Sequence, residues 1–110
     1  MRAYLLDEIS ASDMEKITVY LKERSIRSLL NSIFWVKIPT DLLSGIQYEH
    51  KSCGPYVFAA ELGDDWFKAE FFVRTLEVMG CDCQDYVTPQ QREFILDFSQ
   101  TMIEALGVRT

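Results

Sequence analysis

The chain has 110 residues, 48% hydrophobic and 25% charged, which is enough for one apolar core without a disulfide framework. Its formal charge is −6, from 17 acidic against 11 basic residues with no basic run, which argues against nucleic acid and against an anionic membrane surface. No apolar stretch approaches the ~20 residues of a spanning helix, and early acids at Asp7 and Glu8 do not suit a signal peptide.

The expectation is one compact domain over residues 1–110, without linker or repeat. The opening "RAYLLDEI" is short and apolar and reads as a strand. "SDME", residues 12–15, fits a capping box, with Ser12 and Glu15 exchanging side-chain-to-amide bonds. Met14, Ile17, Tyr20 and Leu21 follow at helical spacing, which predicts a helix over about residues 13–24. Residues 25–31 drift out of phase with it. "SIFWVKIP" is rich in β-branched and aromatic residues and predicts a strand ending at Pro39.

"SGIQ", residues 44–47, is a second capping signature, and it predicts a short helix running through Cys53 to a stop at Gly54-Pro55. The next stretch predicts a hairpin, 56–62 against 65–74, closed by a Gly63-Asp64 type II′ turn with positive φ at Gly63. That register puts Tyr56, Phe58, Ala60, Leu62, Phe67, Ala69, Phe71 and Val73 on one apolar face. Val57, Trp66 and Phe72 fall on the opposite face, among charges that include Glu61 and Lys68. "TPQQ", residues 88–91, is a third capping signature, and an apolar stripe from Phe94 to Leu106 predicts a helix over about 89–106 with Gly107 as its stop. Together these elements predict an α+β domain: a mostly antiparallel sheet with an N-terminal and a C-terminal helix packed on it.

The single histidine and the three cysteines gather into "YEHKSCGPY" and "GCDCQD". His50, Cys53, Cys81 and Cys83 leave the same open end of the hairpin. Thiolates and a neutral imidazole are good ligands for zinc, and closed Cys₃His sites are structural rather than catalytic. His50 and Cys53, three apart, share a face of a helix. The single residue between Cys81 and Cys83 is the weak point, because successive strand residues alternate faces, so both can ligate only if the backbone turns near Gly80. The plain alternative is three ordinary buried thiols.

Cys81 and Cys83 could instead form a redox dithiol, although Asp82 and Asp85 oppose thiolate formation. A Cys53–His50 nucleophile lacks any sign of an orienting group. No phosphate-binding glycine loop is present. The reading is a small cytoplasmic interaction or accessory domain, non-enzymatic, stabilised by a structural zinc; the competing class is a thiol-redox protein or enzyme. The aromatic sheet face around Val57, Trp66 and Phe72 is the expected surface for a protein partner or a second copy.

Overall fold

The computed structural model describes residues 2–30, 32–76 and 82–109. Their order is β1 (Ala3–Leu6), α1 (Ala11–Arg24), β2 (Ile26–Arg27), β3 (Ile33–Lys37), α2 (Gly45–Glu49), β4 (Tyr56–Leu62), β5 (Phe67–Glu70), β6 (Phe72–Thr75), β7 (Asp85–Tyr86) and α3 (Pro89–Leu106). The strands form an antiparallel sheet in the order β1-β5-β4-β3-β2, with β6 beside β4 and β7 beside β6. The class is α+β. The ambiguous residues 25–31 contain β2, which adds a two-residue edge to β3.

α1 and α3 carry their apolar stripes to one face of this sheet. Met14, Ile17 and Leu21 of α1, and Ile95 and Met102 of α3, are buried with Phe34, Val36, Phe58, Phe67 and Val73 of the strands. Phe58 is the centre of this layer, meeting Phe98 edge-on at 5.8 Å and Phe94 at 6.4 Å. Edge-to-face rings of this kind add a little to the burial of area.

Two helix starts differ in outcome. α3 begins at a capping box, with Thr88 Oγ1 accepting from the Gln91 amide and Gln91 Oε1 accepting from the Thr88 amide. It ends at Gly107, whose φ of 65° is the left-handed conformation glycine adopts without strain. α1 starts two residues earlier than expected. Ser10, not Ser12, is its cap and accepts from the Asp13 amide, while Ser12 bonds only the Ser10 hydroxyl. Ser-x-Ser offers two candidate caps, and the first carries an aspartate three residues on.

The hairpin has the expected faces but a different register. Leu62 faces Phe67 and Glu61 faces Lys68, so the closing pair is Gly63 with Trp66, whose carbonyl accepts from the Gly63 amide at 2.9 Å. The turn is therefore Asp64-Asp65, and among the described glycines φ is positive at Gly107 alone. The expected II′ turn is overturned. Gly63 is needed for closeness instead, because the Trp66 indole occupies the space a Cβ would fill. Further along, Val57 faces Arg74 and Tyr56 faces Thr75. The second strand has taken in two extra residues around Phe71, whose amide donates to Arg2 O at 2.9 Å and whose carbonyl accepts from the Val87 amide at 3.3 Å. Both shifts are by an even number, so every side chain keeps its face: Phe67, Ala69, Phe71 and Val73 are all buried.

The opposite sheet face is covered by its own long side chains. Arg74 lies over the Phe72 ring at 4.9 Å and makes two bonds to the Glu70 carboxylate, at 2.9 and 3.1 Å; the Glu70 hydrogen bond raises the Arg74 pKa, against partial desolvation. Lys68 reaches over Trp66 at 5.7 Å and pairs with Glu61 at 3.3 Å. Arg2 lies over Tyr86 at 5.1 Å and donates to its hydroxyl. Trp66 and Phe72 remain partly exposed, but Val57 is fully buried and offers no surface for a partner. Among the described residues no helix is long and apolar enough to cross a membrane.

Candidate metal centre

Two chain segments meet at the open end of the hairpin. The first is α2, capped by Ser44 with Gln47 in a reciprocal box. α2 stops at Glu49, short of the helix through Cys53 that the spacing suggests. His50 takes φ −105° and ψ 43°, and a separate 3₁₀ turn, Lys51–Cys53, follows. That turn is closed by the Cys53 amide donating to His50 O at 2.9 Å. In a 3₁₀ turn residues three apart eclipse each other, so His50 and Cys53 still share one side. Tyr56, at the start of β4, donates its hydroxyl to the same His50 carbonyl at 2.7 Å. A cis Gly54–Pro55 peptide joins the turn to β4.

The second segment brings Cys83. β6 leaves the sheet at Thr75, which faces Tyr56, and the chain returns as β7 beside β6. Cys83 lies on that return, two residues before β7 and fully buried. Two bonds fix this return, one at Cys83 itself and one at the residue after it. Gln84 Oε1 accepts from the Thr75 amide at 3.0 Å, and Gln47 Nε2 donates to Cys83 O at 3.1 Å.

Gln47 does not act alone. Its Oε1 also accepts from Gln91 Nε2 at 2.8 Å, and that same nitrogen donates to Leu42 O at 2.9 Å. Gln47 and Gln91 are 1% and 0% exposed, so each unmade bond would leave a polar group in a dry interior. Among the described residues, none of the fully buried side-chain polar atoms lacks a partner. The two capping glutamines therefore serve their own helices and, through each other, tie the starts of α2 and α3 to Cys83. Their spacing in "SGIQ" and "TPQQ" marks the caps; nothing in it marks that they touch.

The result is a compact donor set. A ring nitrogen of His50 and the Sγ atoms of Cys53 and Cys83 all lie within 4.8 Å of one another. A tetrahedral zinc, with bonds of 2.0–2.3 Å, holds its ligand atoms roughly 3.5–3.8 Å apart. Small inward movements of three side chains reach that spacing. Two soft sulfurs and one imidazole suit zinc better than magnesium or calcium, which take oxygen. Cys81, the fourth expected ligand, lies outside the described residues. Lys51, next to the donor set in sequence, is engaged elsewhere: it stands 3.8 Å from the Tyr48 ring, and its hydrogen bond holds the Tyr48 phenol below its ordinary value.

Known proteins supply no precedent: no family model matches the chain, and neither a curated protein nor a solved structure is significantly similar to it.

Proposed function

We propose that this chain is a small, non-enzymatic accessory domain of a reducing, cytoplasmic setting, clasped at one end by a structural zinc. The observation that carries the reading is the convergence of His50, Cys53 and Cys83, which come from two segments about thirty residues apart in sequence. Cys81, two residues before Cys83, is the proposed fourth ligand, completing a closed Cys₃His set with no position for substrate. Such an ion would join the turn before β4 to the return after β6, and its binding free energy would add to that of folding. The thiol-redox alternative is the weaker one, because a reactive thiol needs access and Cys83 has none.

The interaction part of the reading rests on the sheet face turned away from α1 and α3. Trp66 and Phe72 are partly exposed there, beside the Glu61–Lys68 and Glu70–Arg74 pairs. Aromatic groups rimmed by charge are the composition of protein interfaces.

Elemental analysis of the chain purified without chelator tests the metal. Stoichiometric zinc is expected, lost in Cys83→Ser, with a lower melting temperature in EDTA. Loss of zinc in Cys81→Ser would support the four-ligand set. A zinc-free protein whose melting ignores both EDTA and added zinc would sink the proposal.

A further inference from the structure

The solvent side of α1 carries charges that read the same in both directions. From Glu15 to Glu23 the sequence is EKITVYLKE, acid then base before Val19 and base then acid after it. Met14, Ile17 and Leu21 turn the opposite side of the helix into the core. Val19 therefore faces away from the sheet and is 55% exposed. At 3.6 residues per turn, residues seven apart share a flank. Lys16 and Glu23 lie on one side of Val19, and Glu15 and Lys22 on the other.

We propose that α1 pairs antiparallel with α1 of a second copy of this chain, about a two-fold axis beside Val19. Such an axis keeps each flank against its own copy but reverses its direction. Lys16 then meets the partner's Glu23, and Glu15 meets the partner's Lys22. With symmetry this gives four contacts between opposite charges and none between like charges. A parallel two-fold would instead set Lys16 against the partner's Glu15 and Glu23 against the partner's Lys22, so swapping the Lys16 and Glu23 charges together would add like-charge contacts there and tells the two arrangements apart. Val19 packs on the partner's Val19 at the centre. Tyr20, Ala105 and Leu106 line a groove of about 680 Å³ along this side of α1 that a second helix can enter.

The charge balance supports this occupant. The chain carries −6, yet these four residues sum to zero, so this face adds no like-charge repulsion of its own to the approach of two copies. The present partners of these groups are cheap to exchange. Lys16 pairs with Asp13 at 3.4 Å and donates to Leu106 O at 3.5 Å, and Glu23 pairs with Arg24 at 3.8 Å; the Lys16, Glu23 and Arg24 side chains are each about half exposed or more. One helix pair buries a small area, so the dimer is weak and exchanging. It makes no use of the His50, Cys53 and Cys83 group and stands or falls without the metal.

Sedimentation equilibrium of the full chain tests it. Concentration-dependent dimerisation is expected, weakening with salt. Lys16→Glu creates two like-charge contacts per dimer and is expected to weaken it by roughly tenfold or more. Adding Glu23→Lys restores opposite signs and is expected to recover most of the affinity. The Glu15→Lys and Lys22→Glu pair repeats the test on the other flank, with circular dichroism confirming that each variant is folded. A chain that stays monomeric at all concentrations in low salt would overturn the proposal. So would dimerisation indifferent to Lys16→Glu, or folded single variants whose double swap fails to recover.

Discussion

The two ends of the β4–β6 hairpin are closed by different physics. At the turn end the closing residues are three apart in sequence. Gly63 leaves room, and the Trp66 indole settles into it. At the open end the bonded residues are far apart: Gln47 reaches Cys83 and Gln91, 36 and 44 positions away. The turn end is held by shape and the open end by polar satisfaction. A steric contact can relax by moving one side chain, whereas a buried amide that loses its partner has no water to replace it.

That difference ranks the consequences of mutation. Gln91→Leu removes the donor to Leu42 O and Gln47 Oε1 and the acceptor of the Thr88 amide. A stability loss of about 2–4 kcal/mol in urea unfolding is expected, with reduced zinc retention because Gln47 then holds Cys83 less firmly. A loss below about 0.5 kcal/mol would mean that the network is ornamental. Gly63→Ala is expected to cost about 1 kcal/mol, since the flexible indole can swing away. Its clearer signature is a shift in Trp66 fluorescence, measured in a Trp35→Phe background, with zinc content untouched. Coupled loss of zinc there would show that the ends are not independent. Smallest is the Glu61–Lys68 pair between these ends, about a third to two-fifths exposed at each side chain. A double-mutant cycle to alanine is expected to give less than about 1 kcal/mol.

What could be read from sequence follows the same line. Side-chain parity survived a register error because each shift was even: Phe58, Ala60, Phe67, Ala69, Phe71 and Val73 are buried as the alternation requires. The cost of the two extra residues near Phe71 was invisible, because Arg2 and Val87 meet its backbone from distant parts of the chain. The caps at Ser44 and Thr88 were legible, since a capping box is local. At α1, Ser10 and Ser12 carry equally suitable capping side chains, and local spacing does not choose between them. Alternation places Val57 on the outer face, yet it is fully buried, since it lies in the middle strand with Lys37 and Arg74 opposite it on either side. In the candidate donor group, His50 and Cys53 are legible as a pair and Cys83 as a distant member. Gln47 and Gln91 were not, because each already had a sufficient local reason to be there.

Cobalt binding tests the proposed metal centre most directly. Co²⁺ titrated into the metal-free chain reports both its coordination geometry and its sulfur ligands by absorption. Strong tetrahedral bands with thiolate charge transfer, saturating at stoichiometric metal and reversed by zinc, are expected for the His50, Cys53 and Cys83 group. In Cys83→Ser the charge-transfer band should fall and binding weaken. A pale octahedral spectrum, or full-strength bands in Cys83→Ser, would contradict the clasp.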